Sequence, residues 1–473
     1  MTSVIKNIGE SKMQNVSHSL ASGEKARLIP VVADTSKENR ATSILLSTIM
    51  SVEALSKSLL GSIGQRLGSR TKVECFTEVV FKNSPANLSL RPDGLLTLTV
   101  GKRSWSALFE AKIGKALLDE TQIAGYCQLA KLNGVDAVIT LSNQFAALPT
   151  HHPVKLPKSV TRGVELYHWS WMSILTQATL LLHEDEFSSE EQRYLLSEMV
   201  RYFSHDSVGV SSFDRMNSEW KDLVTKVQSG AALSKTSTEV ENSVAAWHQE
   251  QRDICLLMSR MLGRQVTLIL PRAHRSDQVR RLKDDCGAFV DSHNLSCTLS
   301  VPDAAAPLTI AADVGRRTVT CAMRIDAPRD KKRARSRIKW VVRQLSKTEP
   351  SDIFVKALWP GRARATQAKL EELRENLDLL DSDNSSRTPW GFEVIMVRDL
   401  AGKFSGSRTF IEHLETAVPE YYENVGQHLR AWAASPPKMV EKHPEAIQPQ
   451  NSPKDELSAE SSRSQNENKT EHV

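Results

Sequence analysis

Apolar residues recur at intervals of three and four through residues 41–67, where Leu45, Ile49, Val52, Leu55, Leu59, Ile63 and Leu67 fall on one side of a single amphipathic helix. Beyond it the period shortens to two. Residues 73–81 predict a strand, residues 95–112 a hairpin, and the almost wholly apolar residues 137–142 a buried strand. Between the hairpin and the buried strand, residues 119–133 return to helical spacing and stop at Gly134, the residue type that most readily closes a helix. A strand at 164–168 then leads into a helix containing 172–182. Helix, three strands, helix, strand is the order of a compact α/β module, assigned to residues 39–182.

Residues 183–246 carry mainly helical periodicity, broken by the polar, small-residue segment 229–239, and predict a helical connector. In residues 247–432, strands predicted at 266–270, 299–301, 308–310, 319–325, 353–358 and 392–397 mingle with helices at 367–380 and 410–432, a second, α+β module without a family signature. Residues 1–38 and 433–473 are polar and aperiodic and predict flexible tails.

Composition changes this picture little. The 473 residues, 40% hydrophobic and 25% charged, suit two or three ordinary globular domains. No apolar run approaches the ~18 residues that cross a bilayer, and no signal-peptide core opens the chain, so a cytoplasmic protein without membrane contact is expected. Six cysteines without a CxxC pair suit neither a zinc ribbon, an iron–sulfur cluster nor a disulfide framework. The net charge of +5 permits an anionic partner without requiring one. The sequence has no phosphate loop, HExxH, GxSxG or post-strand GxGxxG motif, which argues against P-loop ATPases, zinc proteases, α/β-hydrolases and dinucleotide enzymes. The pair His151 and His152 before Pro153 is expected on a loop rather than on a metal, and Trp340, Trp359, Trp390 and Trp432 in core or corner positions.

Candidate chemistry gathers on the hairpin. With Gly101 and Lys102 as a two-residue turn, facing residue numbers sum to 203, which sets Leu98 against Trp105, Leu96 against Ala107 and Gly94 against Phe109 on one face. The other face carries Thr99 with Ser104, Thr97 with Ser106, Leu95 with Leu108 and, last, Asp93 with Glu110. Two carboxylates so placed repel unless something compensates. Alternation puts Lys112 on their face, two residues beyond Glu110. Two hard oxygen ligands suit Mg²⁺ or Mn²⁺, and a neighbouring ammonium can orient water and offset charge on a phosphoryl group.

Pro92-Asp93 followed by Glu110-Ala111-Lys112 resembles the PD-(D/E)xK signature of the restriction-endonuclease-like nuclease superfamily. Gln122-Ile123-Ala124-Gly125-Tyr126 resembles the QxxxY helix motif of its RecB-like branch. The resemblance covers about residues 41–182 and implies a mixed sheet flanked by helices. It implies that Asp93 and Glu110 bind the metal, that the main-chain carbonyl of Ala111 completes its shell and that Lys112 serves the water. Gln122 and Tyr126, four apart, would meet the substrate backbone or brace the metal site. Members that add a carboxylate from the first helix point to Glu53, the one acid between residues 42 and 71, with Glu78 as its rival. The cysteine cluster of the iron–sulfur members is missing.

In the second module, Ile338, Val341, Val342 and Leu345 mark the core side of a helix. Lys332, Arg335, Lys339 and Arg343 form a basic stripe beside it that could follow a phosphate backbone. The expectation is therefore a Mg²⁺- or Mn²⁺-dependent endo- or exonuclease acting on DNA, whose second module selects substrate or a protein partner. The alternative is a nucleic-acid-binding or scaffolding protein that keeps the fold without catalysis. A glycosidase fits less well, because a lysine beside carboxylates on a bare hairpin suits a metal better than a sugar.

Overall fold

Six strands form the first sheet, in the order β1 (Leu20–Lys25), β2 (Lys72–Phe81), β3 (Gly94–Val100), β4 (Arg103–Ala111), β5 (Ala137–Ser142) and β6 (Glu165–Ser170). This is a computed structural model that describes residues 19–30, 36–84, 90–184, 187–381 and 387–434. Strands β1 to β4 pair antiparallel and β4 to β6 parallel, so the sheet is mixed. The β3–β4 register is the predicted one, with Gly94 facing Phe109, Leu96 facing Ala107 and Leu98 facing Trp105 around a turn in which Gly101 takes φ 59°.

Both faces of this sheet are covered. Leu96, Ala107, Phe109 and Ile139 pack beneath α1 (Lys37–Ser51), α2 (Glu53–Gly61), α4 (Trp171–Glu184) and α5 (Glu190–Phe203). On the reverse, Leu95, Leu108 and Val138 meet Ile123, Tyr126 and Leu129 of α3 (Glu120–Asn133). Asp119 caps α3 by accepting the Gln122 N–H at 2.7 Å, and Gly134 closes it in the left-handed conformation.

Two sequence expectations change here. The single helix of residues 41–67 is two helices, α1 and α2, bent by 107° at Val52. The apolar spacing runs through the bend because both helices press the same sheet face, so periodicity alone carries no mark of the break. Among the described residues no single helix is long and apolar enough to cross a membrane. The expected N-terminal tail contains β1, an edge strand bonded to β2. Its residues 21–25 are exposed and polar, and main-chain pairing needs no apolar period to show. Residues 1–18 and 31–35 of that segment, and 435–473 of the other expected tail, lie outside the described residues.

The second sheet is antiparallel throughout, ordered β12 (Thr366–Lys369), β11 (Ile353–Leu358), β13 (Gly391–Asp399), β10 (Thr318–Asp326), β9 (Leu308–Asp313), β8 (Asn294–Ser300) and β7 (Thr267–Leu268). Strand β12 falls where the spacing predicts the start of a helix; its Ala368 pairs with Val355, and only Leu370–Glu375 is α-helical. Flanking the sheet are α6 (Trp220–Gln228), α7 (Thr238–Leu262), α8 (Gln278–Ser292), α9 (Ala334–Gln344) and α10 (Ser407–Asn424).

The predicted boundary between connector and second module falls inside α7. This helix gives Leu256 to the core under the first sheet and Trp247, Ile254 and Met258 to the core under the second. Likewise Leu196, Met199 and Phe203 of α5 belong to the first core, and Trp220 and Leu223 of α6 to the second. The described elements all lie in one compact unit, Met1–Ala433. All six cysteines are buried and unpaired.

Candidate active site at the ends of the central strands

Asp93 precedes β3 and Glu110 lies near the end of β4, so the hairpin register alone sets them side by side. Asp93 Oδ2 accepts the Ala111 N–H at 2.7 Å, which ties the first carboxylate to the strand that carries the second. Lys112 Nζ donates to Glu110 Oε1 at 2.5 Å; the Glu110 side chain is 2% exposed and that of Lys112 17%. The lysine is anchored through its main chain. Its N–H donates to Leu141 of β5 at 2.8 Å, and its carbonyl accepts the indole N–H of Trp171 at 2.9 Å. From α3, Gln122 Nε2 donates to the Tyr126 hydroxyl at 3.0 Å, and that hydroxyl donates to the Arg91 carbonyl at 3.3 Å.

Asp93, Glu110, Ala111, Lys112, Gln122 and Tyr126 are thus brought together; Glu53 is not. Glu53 opens α2, pairs with Lys57 at 2.6 Å and is half exposed. The carboxylate that α1 does deliver is Glu38, whose Oε1 accepts the Ile113 N–H at 3.2 Å. Glu38 and Glu53 sit at opposite ends of α1, roughly 20 Å apart at 1.5 Å per residue. Sequence reasoning missed Glu38 because the helix begins at Lys37, within the presumed tail; an acid in the first turn after Ser36 was the available signal. Glu78 flanks the site in a bulge of β2 at φ 50°, with its N–H on the Asp93 carbonyl and its carboxylate held by Asn39 and Arg91.

The electrostatics follow from this crowding. Burial, then the Glu110 charge, push the Asp93 carboxyl up to about 8, against the opposing pull of the Ala111 N–H and Lys112. Burial works against the Lys112 charge, but its bond to Glu110 and the fields of Glu110, Glu38 and Asp93 outweigh it and hold the ammonium above its ordinary value. Burial and Glu110 also push the Tyr126 phenol well above its usual range, so it stays a neutral donor. Glu38, Asp93 and Glu110 therefore crowd one ammonium, with Asp93 holding its proton at neutral pH. Hard oxygens crowded in this way at the ends of two central strands fit a divalent cation, whose charge would favour ionised Asp93 and which Asp93, Glu110 and the Ala111 carbonyl would hold. Among the described residues no group of three or more His, Cys, Asp or Glu side chains could hold a metal ion.

The chain matches no protein-family model and no curated protein. The site is read from its geometry alone. Beside it, an open cleft of about 480 Å³ is lined by Glu38, Asn39, Ile113, Gly114 and Gly209. Asn143 fixes one wall, its amide N–H groups donating to the Gly114 carbonyl at 3.0 Å and the Gly209 carbonyl at 2.8 Å. One strand further, Thr140 of β5 neighbours Glu110 and bonds both His152 Nε2 at 2.8 Å and His168 Nδ1 at 2.9 Å. Burial lowers these histidines to about 4 and about 3, so both are neutral at pH 7 and serve as structural bridges.

The basic stripe is shorter than its spacing suggests. Helix α9 begins at Ala334, so Lys332 precedes it rather than lying on its face, and Arg335 is ion-paired with Asp378. Lys339 and Arg343 remain exposed on the helix. Trp390, expected in a core or corner, is 40% exposed, with the Arg324 guanidinium 4.2 Å from its ring centroid. Trp359 is buried and Trp340 and Trp432 are half-buried.

Proposed function

We propose that this chain is a metal-dependent nuclease of the PD-(D/E)xK type, with a restriction-endonuclease-like first module that hydrolyses phosphodiester bonds in DNA. The observation that carries the reading is the convergence of Asp93, Glu110 and Lys112 at the ends of the two central strands. Asp93 and Glu110, with the Ala111 carbonyl, would hold Mg²⁺ or Mn²⁺. When bound, that ion supplies Lewis acidity and a more acidic water.

The chain's own groups have separate tasks. Lys112, kept cationic by its neighbours, places an ammonium where it can orient a water and offset charge growing on the phosphoryl oxygens. Trp171 and the Leu141 carbonyl fix the lysine's backbone, which limits the ammonium to a small arc above Glu110. Tyr126, oriented by Gln122, holds the Arg91 carbonyl and so fixes the approach to Asp93. The cleft beside Glu38 gives a polymer backbone room to reach these strand ends, and Lys339 and Arg343 of the second module offer phosphate contacts.

The test incubates the full chain with Mg²⁺ or Mn²⁺ and labelled single- and double-stranded DNA and RNA. Cleavage that needs metal, is abolished in Glu110→Ala and falls about 10²–10³-fold in Lys112→Met is expected. Absence of cleavage on every substrate, with metal binding intact, would move the chain to the binding or scaffolding class.

A further inference from the structure

A second cavity, of about 270 Å³, is walled by the edge strand β6 of one sheet, the edge strand β7 of the other, and helices α2, α4 and α7. It contains none of the residues assigned above to catalysis. Among the described residues no acidic side chain lines it, yet two guanidiniums do, Arg252 from α7 and Arg275 at its rim. The Arg252 Nε is shielded from water and donates to nothing among the described residues. Its sequence neighbour Asp253 acts on it through its field, but that carboxylate accepts the Phe213 N–H at 2.6 Å and makes no hydrogen bond or ion pair with the guanidinium among the described residues. Arg275 is exposed and forms no ion pair among the described residues. A guanidinium whose Nε is shielded without a hydrogen-bond partner costs stability that an anion accepting that N–H would offset.

The remaining wall narrows the class of anion. Ser173 accepts the Ser170 hydroxyl at 2.7 Å, which leaves its own proton to donate into the space. Trp169 and Leu268 supply an apolar side. Two positive charges with no negative one suit a dianion, and a phosphate monoester carries about −1.5 to −2 at pH 7 where a carboxylate carries one charge. The volume lies just under the ~300–1,000 Å³ of small-molecule sites, which excludes a polymer. We propose that this cavity binds a small organic phosphate monoester, with its phosphate between Arg252 and Arg275 and its body against Trp169 and Leu268. The proposal stands apart from the nuclease reading.

The experiment is calorimetric titration of the full chain in EDTA with a nucleoside 5′-monophosphate, the matching nucleoside, inorganic phosphate and malonate. The monophosphate is expected to bind more tightly than inorganic phosphate, the nucleoside and malonate not at all, and Glu110→Ala to change nothing. Arg252→Met should weaken the monophosphate about 10- to 100-fold. Without ligand it should melt no lower than wild type, because it removes a shielded Nε–H that has no partner among the described residues; a merely structural arginine would lower the melting temperature. If Arg252→Met fails to fold, Arg275→Ala at the exposed rim decides, and affinity equal to wild type there overturns the proposal. It is overturned equally by no binding, by a nucleoside or inorganic phosphate that binds as tightly as the ester, by tighter binding of malonate, or by loss of binding in Glu110→Ala.

Discussion

Asp93 keeps its proton to about pH 8 because burial and Glu110 both oppose its ionisation. Its folded pKa lies above the ~3.9 of an unfolded chain, so its contribution to stability is whole below about pH 4 and is lost as pH rises through about 8. In EDTA, wild-type stability against urea should therefore decline between pH 4 and 8 more steeply than that of Asp93→Asn. Parallel curves would show that Glu110 and burial do not act on Asp93 in this way. The two first-helix acids make a second pair of contrasts. Glu53→Gln breaks only an exposed pair with Lys57, so stability should shift by less than about 0.5 kcal/mol and Mg²⁺ affinity not at all. Glu38→Gln removes one of the carboxyl groups around the ammonium, and titration calorimetry should find Mg²⁺ bound about 10-fold more weakly. The opposite ranking would return the first-helix role to Glu53.

Helix α1 reaches the site only because it rides close over β3. A Cβ on Gly94 would sit 2.5 Å from Leu46 Cδ1 and 3.3 Å from the Phe76 carbonyl oxygen. Gly94→Ala must therefore displace the Leu46 side chain that seats α1 on β3, at a cost of about 1–3 kcal/mol, and is expected to disturb the placing of Glu38; urea denaturation and cleavage assays should both register it. Loss of activity without loss of stability would deny that the clash with Leu46 is what disturbs the site. On α9, Arg335 spends its charge on Asp378 while Lys339 and Arg343 face solvent. Charge reversal of Lys339 and Arg343 together should weaken DNA binding for all sequences alike and lower the salt slope by about 2, whereas Arg335→Glu alone should do less. Binding that ignores all three would leave this helix to solvent or to a protein partner.

The two sheets share α7, and this sets how the chain unfolds. A fragment ending at residue 182 would lose Leu196, Met199, Phe203 and Leu256, all part of the first module's core. Each exposed cavity of that kind costs about 2–5 kcal/mol, comparable with the stability of a whole domain. The fragment should give poorly dispersed amide spectra and rapid proteolysis, while the chain carried through residue 433 should unfold in one calorimetric transition. A well-folded fragment 39–182 would show that α5 and α7 are accessory to the first sheet.

What could be read along the chain was what neighbouring residues decide among themselves. The β3–β4 register follows from one turn and strict alternation, so Asp93, Glu110 and Lys112 were legible as a cluster; Gln122 and Tyr126 were legible because one helical turn joins them. The caps of α3 are equally local. The rest hangs on contacts between distant segments, whose partners leave no periodic trace. The bend at Val52 keeps the same apolar spacing on either side, and β1 is held by main-chain bonds that any polar sequence can make. Glu38 reaches Ile113 across 75 residues and Arg335 finds Asp378 across 43. Local spacing fixes which side of an element is apolar, but only the packed fold chooses which distant charge meets it, because that choice depends on the loops closed and the surfaces buried when the elements assemble.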